Sequence, residues 1–238
     1  MIGGFLSVTV LDLNMAPQTF AGRLLQYIPE GHRRKLTEVL NKIHIINLTL
    51  LYSKSILTEY GWFESRASGA PIDTDGNELP WMTYSCINFL DGRVEDTRIF
   101  EYGSGNSTVW FGNRASEVVA VEHNEAWYRR VKDSMPRNAS LYHVPEDSYA
   151  ASIKSKGPFD MIVIDGIDRN QCIEAAINEL SGSGVILLDD SQRDEYENGR
   201  QSLQDKGFQE IGFSGLKPIN RMPAKTSIYY HSNNCLRI

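Results

Sequence analysis

The chain has 238 residues, of which 41% are hydrophobic and 23% are charged. These fractions are typical of a globular protein and exclude a disordered one, and the net charge of −6 argues against binding to a nucleic-acid backbone. No apolar run reaches the roughly 18 residues of a membrane-spanning helix. Three widely spaced cysteines without a CxxC pair favour free thiols. We therefore expect a soluble, cytoplasmic protein.

Residues 1–80 carry a helical pattern followed by a polar segment. Apolar residues recur at helical spacing from about residue 29 to residue 60, at Leu36, Val39, Leu40, Ile43, Ile46, Leu50 and Leu51. This spacing predicts one long helix with a single apolar stripe, which packs on the rest of the chain or forms the seam of a homodimer. Turn-forming residues dominate residues 61–80. We expect a helical cap with a lid loop over residues 1–80 and a main domain over residues 81–238.

From residue 81 onward, short apolar runs alternate with amphipathic stretches. The predicted strands are 98–102, 117–122, 140–144, 159–165, 184–189, 208–213 and 226–230. Apolar strands separated by helices predict a parallel sheet covered on both faces, and the last two strands, with no helix between them, predict an antiparallel hairpin. The expected fold class is α/β: a Rossmann-like, doubly wound, mostly parallel seven-stranded sheet with an antiparallel terminal hairpin and an N-terminal helical extension.

A glycine-rich segment, EYGSGNST, lies between the first predicted strand and a helix, which is the context that a nucleotide-binding loop requires. Gly103 permits a sharp turn, and Gly105 removes a side chain where a ligand must approach the backbone. Ser107 or Thr108 can cap the following helix. The third glycine of a dinucleotide loop, GxGxxG, is missing. Because the carboxylate of Glu101 also suits a cationic amino-acid group better than a pyrophosphate, the segment favours S-adenosylmethionine over a nicotinamide cofactor.

A second acidic residue ends the second predicted strand. Glu122 closes the run VVAVE and lies 19 residues after Gly103. A carboxylate at the tip of this strand accepts hydrogen bonds from ribose hydroxyls. We therefore interpret Glu122 as a ribose-binding residue rather than as an ordinary solvated acid at the end of a strand.

The strand-end motifs EYGSGNST, VVAVEHN, FDMIVIDG and GVILLDDS resemble, in order, those of class I S-adenosylmethionine-dependent methyltransferases over about residues 81–231. PWMTY and TSIYY also resemble a group of poorly characterised bacterial FkbM-like methyltransferases. The resemblance implies O-methylation of a small-molecule or glycan acceptor. It implies that His123 lies near the adenine, with Glu146 or Asp147 by its amino group. The full implied cofactor-binding set is Glu101, Gly103, Ser104, Gly105, Ser107, Thr108, Glu122, His123, Glu146, Asp147 and Asp165.

Acidic pairs follow the fourth and fifth strands, Asp165 with Asp168 and Asp189 with Asp190. Neighbouring parallel strands direct such residues into one crevice, where three carboxylates suit Mg²⁺ or another divalent cation. Asp165, Asp189 and Asp190 match the metal ligands of catechol-type O-methyltransferases, which the chain resembles in this respect. The catalytic lysine of that group is replaced by Asp168. A metal-free alternative assigns Asp165 or Asp168 as the general base for an acceptor hydroxyl.

The acceptor side and the reaction leave alternatives open. The segment 81–84 is expected to cover the cofactor site as a lid, or Trp81 anchors the N-terminal helix in the core. Arg193, Lys217 and Arg221 lie in late loops and are candidates for binding an anionic acceptor. A nicotinamide-dependent oxidoreductase and a non-catalytic nucleotide-binding module are the competing functions. The acidic charge and the absence of an Asn/Asp-Pro-Pro-Tyr/Phe motif argue against nucleic-acid methylation.

Overall fold

The computed structural model describes residues 27–42 and 44–238, so the first 26 residues of the expected cap lie outside the described part. One compact unit ends at Phe63, and a second comprises Glu64–Ile238. The helices are α1 (Glu30–Lys42), α2 (Ile45–Ser53), α3 (Ile56–Glu59), α4 (Trp62–Ser68), α5 (Tyr84–Leu90), α6 (Asn106–Gly112), α7 (Glu125–Val131), α8 (Glu146–Tyr149), α9 (Arg169–Ala176) and α10 (Glu197–Asp205). The strands are β1 (Arg98–Tyr102), β2 (Glu117–Glu122), β3 (Ala139–His143), β4 (Phe159–Ile164), β5 (Leu180–Leu188), β6 (Gln209–Gly215) and β7 (Ala224–Tyr230).

The prediction of a single long N-terminal helix is wrong. Three shorter helices, α1 to α3, lie in its place. His44 has a left-handed backbone with φ of 60°, which a continuing α-helix does not contain. Ser55 is the N-cap residue of α3, and its hydroxyl accepts a hydrogen bond from the Leu57 N–H at 3.2 Å. This cap separates α3 from α2. Val39 and Leu51, two residues of the expected stripe, are exposed.

The seven strands form one sheet in the order β3–β2–β1–β4–β5–β7–β6. Strand β7 pairs antiparallel with both β5 and β6, and the other neighbouring strands are parallel. The predicted fold class is thereby confirmed. Strand β5 begins at Leu180, four residues before the predicted start, because Leu180 pairs with Phe159 ahead of a register irregularity. In the described part of the chain, no helix is long and apolar enough to cross a membrane.

The central strands β1 and β4 are buried on both faces. Ile99 and Phe100 on β1, and Ile162 and Val163 on β4, have no exposed surface, which explains why these strands read as continuous apolar runs. Burying a side chain of this size contributes roughly 1.5–3 kcal/mol, and the buried strands fix the positions of the loops that follow them. Because the strand order reverses between β1 and β4, the crevice beyond their carboxyl ends is the expected place for a ligand.

Candidate cofactor site and acidic crevice

The glycine-rich loop joins β1 to α6 at the point where the strand order reverses. Gly103 has φ of 113°, and a Cβ atom there would lie 3.5 Å from the backbone of Asp165. The Gly103 N–H donates to the Val121 carbonyl at 2.9 Å, so the loop is tied to β2 and also lies against the end of β4. Gly105 has φ of 153°. Both glycines therefore adopt backbone conformations that other residues rarely reach.

Glu101 is buried beneath this loop, with 1% of its surface exposed. Its two carboxylate oxygens accept hydrogen bonds from the hydroxyls of Ser107 and Thr108, the latter at 2.6 Å. Thr108 Oγ1 in turn accepts from the Gly105 N–H at 3.1 Å. Burial raises the pKa of Glu101 to about 7, although the two hydroxyl groups act to lower it. Thr108 stands where a dinucleotide loop has its third glycine, and its hydroxyl donates a hydrogen bond to the Glu101 carboxylate.

Glu122, at the end of β2, is the second buried carboxylate. Its Oε1 accepts a hydrogen bond from the Asn124 N–H at 2.8 Å, and its Oε2 accepts one from Ser104 Oγ at 2.9 Å. The Asn124 side chain caps helix α7 by accepting from the Trp127 N–H at 2.9 Å. Ser104 therefore links the glycine-rich loop to the tip of β2, and the cap of α7 fixes the backbone beside Glu122.

Trp127 belongs to this site, although the sequence analysis did not single it out. Its indole Nε1 donates to the Ser104 carbonyl at 2.9 Å, and its ring would lie 3.7 Å from a Cβ atom added at Gly105. The side chain is 39% exposed, so the indole covers the loop from the solvent side. The recognisable signal was the cap residue Asn124 followed by an aromatic residue in the first turn of the helix.

The residues expected near the adenine are His123, after β2, and Glu146 and Asp147, in α8. His123 Nδ1 is 3.1 Å from Glu122 Oε1, and its ring packs edge-on to Tyr149 at 5.8 Å. Glu146 and Asp147 begin α8, are exposed, and line a groove of about 640 Å³ together with residues of α9. The glycine-rich loop contributes no residue to the lining of that groove. The cofactor contacts expected of Glu146 and Asp147 stay predictions.

Asp165 follows β4, and Arg169 holds it in place. The Arg169 guanidinium donates to Asp165 Oδ1 at 3.0 Å and also to the carbonyl oxygens of Gly166 and Asp189, at 2.9 and 2.5 Å. Burial and the neighbouring Asp189 carboxylate raise the pKa of Asp165, and Arg169 opposes this effect. Asp168 is exposed and is the N-cap residue of α9, with a left-handed backbone, φ 48°. Of the two predicted general bases, Asp165 is the one in the crevice.

The carboxylates of Asp189 and Asp190 share a lysine. The Lys217 ammonium, from the loop between β6 and β7, contacts Asp189 Oδ2 and Asp190 Oδ1. Thr226 Oγ1 donates to Asp189 Oδ1 at 2.7 Å, and Arg193 donates to Asp190 Oδ2 at 2.5 Å. All four oxygens of the two carboxylates therefore accept hydrogen bonds from side chains of the chain itself.

The metal site predicted from Asp165, Asp189 and Asp190 is not assembled in the structure. Within residues 27–42 and 44–238, no three His, Cys, Asp or Glu side chains are grouped so that they could hold a metal ion. The physical reason is Lys217, whose ammonium lies between two of the expected ligands. The residues present therefore do not fit Mg²⁺. Arg193 is also paired with one of these carboxylates, so two of the three cations expected to bind an anionic acceptor neutralise the crevice instead.

The segment before α5 is tied to the antiparallel edge of the sheet. The Thr83 N–H donates to Thr226 Oγ1 at 3.2 Å, and Thr83 Oγ1 donates to the Phe213 carbonyl at 3.1 Å. Trp81 is 49% exposed, and its Nε1 donates to Asn220 Oδ1 at 2.9 Å. Trp81 is therefore not a core anchor, and its expected role in a lid stays a prediction.

No protein-family model and no curated protein sequence matches the chain, but solved structures do. A putative O-methyltransferase from Klebsiella pneumoniae is 13% identical, with 78% of this chain and 96% of that chain covered and a TM-score of 0.52. The O-methyltransferase TomG from Streptomyces achromogenes, solved in complex with S-adenosylmethionine, is also 13% identical, with coverage of 81% and 97% and a TM-score of 0.51. The chain has the fold of class I methyltransferases. At such low identity these methyltransferase structures establish the fold alone, and the finer FkbM-like resemblance stays a prediction.

Proposed function

We propose that this class I methyltransferase fold transfers the methyl group of S-adenosylmethionine to an oxygen atom of a small-molecule or glycan acceptor. One observation carries the proposal: the glycine-rich loop is linked by hydrogen bonds to two buried carboxylates, Glu101 and Glu122, where the strand order reverses. Glu122, fixed by the Asn124 N–H and Ser104 Oγ, lies where a carboxylate accepts ribose hydroxyls. Glu101 lies under the loop expected to hold the amino-acid end of the cofactor.

The same loop argues against the competing oxidoreductase. The third glycine of a dinucleotide loop allows a helix to pack closely beside a pyrophosphate, and Thr108 stands at that position here. Its hydroxyl donates to the buried Glu101 carboxylate. Once Glu101 is ionised, which requires a pH near or above its pKa of about 7, its negative charge would repel a pyrophosphate bound at this loop. The same charge would attract the ammonium and sulfonium groups of S-adenosylmethionine. The charge of the loop therefore favours a cationic cofactor.

The chemistry required from the chain is orientation and proton removal. When bound, S-adenosylmethionine supplies a methyl group on an electrophilic sulfonium, and the rate then depends on how the acceptor oxygen is aligned with it. Asp165 lies beside Gly103, and its raised pKa makes the carboxylate a stronger base than an ordinary aspartate. We assign Asp165 as the general base and Asp168 as the second candidate. Because the crevice does not fit a divalent cation, the mechanism contains no metal step.

The remaining parts of the proposal concern assembly and location. Val39, Leu48 and Ile56 are exposed on α1, α2 and α3, and these apolar side chains support the predicted homodimer through the N-terminal helical region. Residues 1–80 would serve as cap and lid for the domain over residues 81–238. The three free cysteines support a reducing compartment such as the cytoplasm.

The test is calorimetric titration with S-adenosylmethionine and with its demethylated product, on wild type and on Glu122→Gln. We expect binding to weaken at least about tenfold in the variant, because the loss of a charge-assisted hydrogen bond costs about 1.5–3 kcal/mol. Glu117→Gln is the matched control, since Glu117 is the acid at the opposite end of the same strand, paired with Arg98. Equal affinity in both variants would contradict the ribose assignment.

The acceptor would then be sought with S-adenosylmethionine that carries a radioactive methyl group. Transfer of label to a glycan or small-molecule fraction by wild type, and its loss in Asp165→Asn with cofactor affinity retained, would support the proposed reaction. Binding of a nicotinamide cofactor in place of S-adenosylmethionine would favour the oxidoreductase. Cofactor binding without transfer to any acceptor class, in folded protein, would favour the non-catalytic module.

A further inference from the structure

Lys217 is buried in the crevice at the carboxyl ends of β4 and β5. Only 3% of its surface is exposed, and the side chains of its partners Asp189 and Asp190 are 2% and 13% exposed. A buried ammonium is stable only when it is paired, because the cost of removing a charge from water is large. Burial acts to lower the pKa of Lys217, but the two carboxylates outweigh this effect and raise the pKa. This side chain therefore carries its positive charge in the folded chain.

The charges of the crevice balance without any ion from solution. Three carboxylates form ion pairs with three cations. Asp165 pairs with Arg169 and Asp190 with Arg193, while Lys217 pairs with both Asp189 and Asp190. A divalent cation requires several oxygen ligands whose lone pairs face it. Here one carboxylate oxygen of Asp189 and one of Asp190 contact the same Lys217 ammonium. The lysine therefore occupies the position and supplies the charge that a shared metal ion would otherwise provide.

We propose that Lys217 is a built-in replacement for a divalent cation, and that it makes this crevice independent of metal. Lys217 acts as a positioning residue: it holds Asp189 and Asp190 together and fixes the loop between β6 and β7 against the end of β5. The catalytic consequence of this inference rests on the proposed methyl transfer. Without a metal ion, a side chain of the protein must act as the base that activates the acceptor oxygen. The proposal predicts that removing the ammonium exposes carboxylates that can bind a metal ion.

The test is a titration of the full chain with Mn²⁺, followed by electron paramagnetic resonance, on wild type, Lys217→Met and Lys217→Arg. Wild type and Lys217→Arg should bind no stoichiometric Mn²⁺, because a cationic side chain is present in both. Lys217→Met should gain one Mn²⁺ site, which a further Asp190→Asn substitution should abolish. Lys225→Met is the matched control, because Lys225 pairs with Glu210 at the surface of the hairpin, and this variant should behave as wild type.

Thermal unfolding of the same variants tests whether Lys217 acts as a counter-ion for Asp189 and Asp190 or only fills space beside them. Lys217→Met should lower Tm by on the order of 10 °C, and Mn²⁺ should recover part of this loss. Should Lys217→Met not fold, the charge-matched variant Lys217→Met with Asp190→Asn replaces it, and its Tm should lie closer to that of wild type. A double variant that also fails to fold would contradict the counter-ion role.

Other outcomes would overturn the proposal. One is stoichiometric Mn²⁺ binding by wild type that is lost in Asp190→Asn. Another is a folded Lys217→Met that binds no Mn²⁺, because the lysine would then only fill space. Since the titration contains no S-adenosylmethionine, failure here is distinguishable from failure of the proposed function, which the separate cofactor titration on the same samples reports.

Discussion

The two halves of the site stabilise buried carboxylates in opposite ways. In the cofactor half, at the ends of β1 and β2, the carboxylates of Glu101 and Glu122 accept hydrogen bonds from hydroxyls and a backbone N–H. In the acceptor half, at the ends of β4 and β5, Asp189 and Asp190 are paired with the Lys217 ammonium. A half that keeps its negative charge attracts a cationic ligand, whereas a half that is already neutral does not. For the proposed function, this difference favours S-adenosylmethionine in the cofactor half and an uncharged acceptor in the acceptor half.

The same difference explains how much of the site the sequence predicts. In the cofactor half, the partners of Glu101 are six and seven residues away, so one short motif contains both the carboxylate and its donors. In the acceptor half, the partners of Asp189 are 28 and 37 residues away. Nothing in the motif GVILLDDS indicates a lysine that arrives from a later loop. The sequence identified the carboxylates but not the lysine that pairs with two of them, so the metal site predicted there is not shown in the described part of the chain.

The fold, like the site, is predictable where a feature depends on residues that are close together in the sequence. Continuous apolar runs identify buried strands, and the order of strands and helices then restricts the topology, so the seven-stranded sheet was predictable. The break at His44 was not, because a left-handed backbone leaves no trace in the spacing of apolar residues. Helix α4 was also missed, because turn-forming residues such as Ser65 and Ser68 predict a loop rather than a helix at this position. The Ser65 hydroxyl donates to the Ile72 carbonyl at 2.7 Å, a contact that only the folded loop creates.

Glu101→Gln should have the largest effect, on the pH dependence of stability. The folded pKa of Glu101 is about 7 against an ordinary 4.5, so between these values the folded chain holds a proton that the unfolded chain has lost. The contribution of Glu101 to the free energy of unfolding is therefore highest below pH 4.5, decreases as the pH rises through about 7, and is constant above that. The change amounts to on the order of 3 kcal/mol, and the glutamine variant should lack it.

The measurement is urea unfolding of wild type and Glu101→Gln across this pH range, with the difference between their free energies of unfolding plotted against pH. Taking the difference removes most of the contribution of Asp165, whose pKa is raised chiefly by burial and by Asp189, with Glu101 as the last of its causes. Glu117→Gln, at the half-buried start of β2, provides the control for loss of an acidic side chain outside the glycine-rich loop. A difference for Glu101→Gln that does not change with pH would mean that burial does not raise the pKa of Glu101.

Gly103→Ala should destabilise the cofactor half by about 2 kcal/mol, because its φ of 113° strains any residue with a Cβ atom. The affinity for S-adenosylmethionine should fall with it, since the loop must change its backbone path to relieve this strain. Gly182→Ala is the control: a Cβ atom there meets nothing within 4 Å. Chemical unfolding and cofactor titration of both variants test this, and an unchanged Gly103→Ala would show that the loop tolerates another backbone path.

Thr226→Val tests the acceptor half at nearly constant volume. The hydroxyl of Thr226 donates to Asp189 and accepts from the Thr83 N–H, so its loss leaves a buried carboxylate oxygen and a buried N–H without this partner. We expect a destabilisation of about 1.5 kcal/mol with little change in cofactor affinity. Thr74→Val, at an exposed position, should leave stability unchanged. A variant that loses cofactor affinity as strongly as stability would contradict the separation of the two halves.

Trp127→Phe should have the smallest effect, because it removes one hydrogen bond to the Ser104 carbonyl and keeps an aromatic ring over the loop. Stability should fall by about 0.5–1 kcal/mol, and the affinity for S-adenosylmethionine by a few-fold, since the indole fixes the residue that contacts Glu122. Trp81→Phe is a close control, because it removes one indole hydrogen bond, to Asn220, at a similarly exposed position. If only Trp127→Phe weakens cofactor binding, the indole orders the glycine-rich loop; if Trp81→Phe weakens it equally, the predicted lid around residue 81 reaches the cofactor and the two halves of the site close together.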